Sequence, residues 1–138
     1  MRGLAVIAPF FTLFPALALA QPLRLRPAEV DTAAAKRLGR VTRCYREAVK
    51  RAPSTFGILQ VGMRVAPDGA VSERWISMST VGDPRLEECV IGAFEGLRFP
   101  APGQPAVVRF GMLLTTENTP EAAKKAAEEA YKRSLKGT

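Results

Sequence analysis

The spacing of apolar side chains along the chain switches between two periods, and the switches mark out six elements. Over residues 29–52 the apolar positions Leu38, Val41, Tyr45, Ala48 and Val49 follow the three-and-four spacing of a helix with one buried stripe. Asp31 is placed to cap its start, and Pro53 ends it. The period then falls to two: Leu59, Val61, Met63 and Val65 alternate with Ile58, Gln60, Gly62 and Arg64, a strand with one fully apolar and one mixed face. Pro67-Asp68-Gly69 supplies a hairpin turn. The return strand, residues 70–80, alternates less cleanly. Val71 and Trp75 share one phase and Ile76 and Met78 the other, which predicts a bulge or a register change near Arg74–Trp75.

Asp83-Pro84 opens a second helix, with Asp as N-cap and Pro at the first helical position. Its stripe is Leu86, Val90, Ala93, Phe94 and Leu97, and residues 99–103, Phe-Pro-Ala-Pro-Gly, break it. A third strand follows over residues 106–114, with Val108, Phe110, Met112 and Leu114 in one phase. Thr119-Pro120 then starts an Ala-rich charged helix over residues 119–136. Glu121–Lys125, Glu128–Lys132 and Glu129–Arg133 are spaced to pair along it. Tyr131 and Leu135 are its main apolar bulk, so it is expected to be peripheral.

The order α-β-β-α-β plus a C-terminal helix predicts an α+β fold: a small three-stranded antiparallel sheet with two helices packed on one face. The second helix carries the chain back along the sheet. Strand three therefore completes an all-antiparallel sheet only beside strand one, in the order 2-1-3, and becomes an edge.

The start of the chain changes the expected compartment. Arg2 precedes an apolar stretch ending Ala18-Leu19-Ala20, which reads as a signal peptide over residues 1–20 with cleavage before Gln21. The stretch is too short for a membrane span and contains Pro15. Residues 21–30, with Pro22 and Pro27, read as an extended leader, and residues 31–115 as one domain. The expected location is periplasmic or secreted, with no transmembrane segment after cleavage. The mature chain holds nineteen cations against thirteen carboxylates, an excess that reads as scattered and as a solvated surface with some attraction to anionic lipid or polysaccharide, rather than a nucleic-acid site.

Chemistry is sparse. The chain has no histidine, which removes Ser-His-Asp and Cys-His pairs and every His-ligated metal site. No glycine loop cradles phosphate, and Ser77, Ser79 and Thr80 have no base beside them. Glu87 and Glu88 are adjacent on a helix and point apart; Asp68 and Glu73 read as solvated, and Trp75 as packing. The expectation is a protein that is not an enzyme and binds no cofactor or metal. The two cysteines, Cys44 and Cys89, border the two core-facing helix stripes. In an exported chain they read first as a disulfide, with two free buried thiols as the alternative.

Taken in order, several fragments resemble the TonB C-terminal-like domain. They are Cys44-Tyr45, Gly57-x-Leu59-x-Val61, Pro67-Asp68-Gly69-x-Val71, Ser77-x-Ser79-Thr80, Asp83-x-x-Leu86-x-x-Cys89-Val90 and Phe99-Pro100. They are most similar to its cysteine-containing branch, the AgmX/PglI C-terminal domain of gliding-motility proteins. The resemblance covers residues 41–114. It implies a periplasmic, non-catalytic protein-binding module with a Cys44–Cys89 bridge. It also implies that an envelope protein, as an extended peptide, adds to the edge of strand three at Val107, Val108, Arg109, Phe110 and Gly111. Energy-transducing relatives resemble a membrane helix and a long proline-rich spacer followed by this domain. Here a cleavable signal and a short leader are expected instead, so transport-energising activity is not. The added C-terminal helix would dock over that edge, contact a partner or form a homodimer. The alternative functions are a structural or scaffolding envelope protein and a thiol redox protein.

Overall fold

The computed structural model describes residues 25–136; the expected signal peptide over residues 1–20, residues 21–24 of the expected leader and residues 137–138 lie outside the described residues. The central strand β1 (Gly57–Val65) organises everything else, because all but Arg64 of its nine residues are buried. It pairs antiparallel with β2 (Val71–Ser79) on one side and with β3 (Ala106–Leu114) on the other, in the order β2-β1-β3. The fold is α+β, with the strand order expected from the sequence. Leu59, Val61, Met63 and Val65 face the core, where helices α2 (Leu38–Arg51) and α3 (Pro84–Ala93) supply Val41, Tyr45, Ala48, Leu86 and Val90. Phe94 and Leu97, just past α3, complete the same cluster.

Pairing of β1 with β3 runs without a slip from Gly57↔Leu114 to Val65↔Ala106. Pairing with β2 slips twice, leaving Ser77 and Ser72 as the extra residues. The bulge or register change expected near Arg74–Trp75 is therefore two register shifts flanking that site. Each serine hydroxyl donates to a β1 carbonyl, Ser77 to Gln60 at 3.2 Å and Ser72 to Arg64 at 3.3 Å, so the inserted residues keep a polar partner. The slips also re-phase the strand. Val71 and Ile76 pack against the core, whereas Trp75 lies on the opposite face over Gly62. A Cβ on Gly62 would overlap the indole, so glycine there is a packing requirement.

The first helix differs from the expected one. It is two helices, α1 (Pro27–Ala35) and α2, separated by a turn at Lys36–Arg37. α1 starts inside the expected leader, with Pro27 at its first position and the Glu29 carboxylate accepting the Arg26 N–H at 2.8 Å. Asp31 is inside α1 and caps nothing. The turn lets Val30, Ala33 and Ala34 join the core along a different direction from Val41 and Ala48. It also leaves Leu38, at the start of α2, 40% exposed instead of within the buried stripe.

α3 starts as its sequence indicates. The Asp83 side chain accepts the N–H groups of Arg85 and Leu86 at 3.0 and 3.1 Å and pairs with Arg51 at 3.1 Å. The Leu86 N–H, with Arg51 second, holds the Asp83 carboxyl below the usual carboxylate range. Such a group stabilises the fold above its unfolded pKa of about 4 and loses that contribution as pH falls through the lower folded value. Asp83→Ala is expected to cost about 1 kcal/mol near neutrality, with the gap to wild type closing in acid. Asp83→Asn should keep most of the cap and lose the acid dependence. Melting curves from neutral to acidic pH check both.

Helix α4 (Glu121–Lys136) packs on the opposite face of the sheet from α2 and α3 and buries none of its residues fully. Ala123, Ala126, Ala127 and Ala130 face Ile58 and Gly57 across a cavity of about 780 Å³. Glu121 pairs with Lys124 at 2.9 Å, three residues on, rather than with Lys125.

Candidate functional site at the edge of β3

Which backbone groups β3 presents at its free side follows from the hydrogen bonds of β1. Ile58 exchanges bonds with Thr80, its N–H reaching the Thr80 hydroxyl at 2.8 Å and its carbonyl accepting the Thr80 N–H at 2.9 Å. Even-numbered positions of β1 thus turn their backbone toward β2 and odd-numbered ones toward β3. By the register, Val108, Phe110 and Met112 pair back to β1, and Val107, Arg109, Gly111 and Leu113 turn outward. The Tyr131 hydroxyl agrees: it donates to the outward Gly111 carbonyl at 3.0 Å.

The five edge positions expected from the sequence therefore divide in two. Val108 and Phe110 anchor the strand: Val108 is buried, and the half-buried Phe110 ring lies 6.0 Å from Phe94, tilted by 57°. Val107 and Arg109 are exposed, and Gly111 is half-buried beneath Tyr131. A proline at Phe110 would break the β1 ladder, whereas one at Arg109 would spare the ladder and remove an outward N–H together with the guanidinium.

The edge lies in a groove of about 500 Å³. One wall is α1, with Pro27, Val30 and Asp31; the other is α4, with Tyr131 and Leu135. A Cβ at Gly111 would come within 3.0 Å of the Tyr131 ring, so glycine is what lets the ring lie on the strand. Burial, and then the nearby Asp31 carboxylate, raise the Tyr131 hydroxyl above its ordinary pKa, so it stays a hydrogen-bond donor at physiological pH. Sequence reading did not place Tyr131 or α1 at this site. The available signal was a single aromatic residue within an otherwise Ala-rich charged helix.

Cys44 and Cys89 form a disulfide, with Cα atoms 5.8 Å apart. It ties α2 to α3; Cys44 is buried and Cys89 is exposed. The hydroxyls of the Ser77–Thr80 run are engaged locally. Ser77 donates to the Gln60 side chain at 2.8 Å, Ser79 accepts the Val81 N–H at 3.3 Å, and Thr80 holds Ile58. Among the described residues no group of three or more metal-ligating side chains is placed to hold an ion, and no helix is long and apolar enough to cross a membrane.

No family model and no curated protein matches the chain. Among solved structures it is similar to the TonB C-terminal domain of Helicobacter pylori, residues 179–285, determined in solution by NMR. The TM-score is 0.44 at 13% identity, over 66% of this chain and 91% of that one, a likeness too low to carry an argument about function.

Proposed function

We propose that the chain is an exported, periplasmic, non-catalytic adaptor of the TonB C-terminal-like type, of the AgmX/PglI branch. It binds an extended segment of an envelope protein along the edge of β3, within a transport or gliding-type complex. The observation that carries this reading is the outward-facing backbone of Val107, Arg109 and Gly111 in a groove between α1 and α4. An incoming strand satisfies such groups and gains affinity from main-chain bonds, with alternate side chains meeting the groove walls. The disulfide fits an extracytoplasmic setting.

In this reading the Tyr131 hydroxyl competes with the incoming strand for the Gly111 carbonyl. Crosslinking the mature chain to envelope proteins in its host tests the proposal. Arg109→Pro should lose a discrete partner that wild type captures. Tyr131→Phe should bind that partner about two- to tenfold more tightly, the worth of one hydrogen bond. Unchanged capture by Arg109→Pro, with loss on deleting residues 119–138, would instead favour the scaffolding alternative, in which α4 makes the contact.

A further inference from the structure

The net charge of the described residues is concentrated in one place. Residues 36–51 contain seven cations and a single carboxylate, Glu47; all other described residues together hold eleven cations and twelve carboxylates. The positive excess of the described fold is therefore that of α2 and the turn before it. Arg40, Arg43, Arg46 and Lys50 recur at helical spacing on the side of α2 away from Val41, Tyr45 and Ala48, with Lys36 in the turn before it, and all five are exposed. Arg51 is held by Asp83 and Lys50 by Glu47, but Arg40, Arg43 and Arg46 have no ion pair among the described residues. Beside the row, Arg40 and Arg43 line a hollow of about 480 Å³ between α2 and α3, together with the disulfide and Glu47, whose carboxylate is paired with Lys50.

We propose that this ridge docks the protein on an anionic phospholipid surface. A row of three guanidinium groups, Arg40, Arg43 and Arg46, extended by Lys50 to about 15 Å at 1.5 Å per residue, meets a plane of phosphates without needing a complementary shape. It lacks the aromatic anchors that organise a protein interface. The hollow between Arg40 and Arg43 has room for a headgroup phosphate. Because α2 covers the core face of the sheet, adsorption through its outer side leaves the β3 edge open. This inference stands independently of the proposed peptide site.

The test is co-sedimentation of the mature chain, residues 21–138, with phosphatidylglycerol–phosphatidylcholine vesicles and with phosphatidylcholine vesicles, at low and physiological salt. Two charge-matched variants are compared: Arg40→Gln/Arg43→Gln/Arg46→Gln on α2 and Lys125→Gln/Lys132→Gln/Arg133→Gln on α4. All six residues lie on the surface, and an unchanged melting temperature confirms the fold. Wild type should bind the anionic vesicles alone, more weakly as salt rises. Each α2 cation should be worth roughly fivefold, so the α2 triple variant should lose on the order of 100-fold while the α4 triple variant loses little. Equal losses in both variants would reduce the effect to net charge and overturn the proposal. So would no sedimentation of wild type with anionic vesicles, including the case where the chain instead binds soluble polyglutamate.

Discussion

Replacing both Cys44 and Cys89 with alanine is expected to lower the unfolding free energy by about 4 kcal/mol. The bridge spans 45 positions and joins the two helices that cover the core face. On the chain-entropy account, closing a loop of that length restricts the unfolded chain by about this amount. Small domains have net stabilities of about 5–15 kcal/mol, so the variant should lie near the edge of folding at physiological temperature. Denaturant melts of wild type with and without reductant isolate the covalent link. Reduced wild type should fall to the stability of the double variant, apart from the small cost of removing the buried Cys44 sulfur. If reductant leaves the wild-type midpoint unmoved once full thiol exposure is verified, the bridge contributes nothing and this account fails.

Phe94→Ala should cost about 3–5 kcal/mol. Phe94 is fully buried and is the largest side chain so enclosed among the described residues. It stands where α3 ends and touches Phe110, and through that contact the core supports the strand carrying the proposed binding edge. The loss should have a local signature as well as a global one. Scaled to each variant's global loss, amide exchange in β3 should speed up more in Phe94→Ala than in Leu86→Ala, a smaller truncation of a fully buried residue of α3. Phe94→Leu, which refills most of the space, should cost under about 1.5 kcal/mol. Equal exchange in the two alanine variants would mean that β3 is held by its ladder to β1 alone.

The β3 edge depends on two kinds of feature that differ in how they can be read. Val108 and Phe110 as strand anchors follow from alternation, a property of neighbouring residues. The outward direction of Val107, Arg109 and Gly111 follows from pairing across β1, which ties residue 58 to residue 80 and residue 60 to residue 111. The groove walls are more remote still. α1 meets β3 across some eighty residues of chain, and Tyr131 reaches Gly111 across twenty.

Within the chain itself, the apolar period determined β1, β3 and α3, and the Asp83-Pro84 pair determined where α3 begins. Connection direction determined the 2-1-3 order, and two core-bordering cysteines pointed to the bridge. These features come from local sterics and from the need to bury one stripe per element, both carried by nearby residues. The split between α1 and α2, the two serine bulges and the Tyr131–Gly111 contact were decided by tertiary structure. Each depends on which polar group finds a partner, or which face stays wet, after distant segments have packed together. Helix propensity alone would have carried residues 29–52 straight. Burying Val30, Ala33 and Ala34 in the same core as Val41 and Ala48 required the turn.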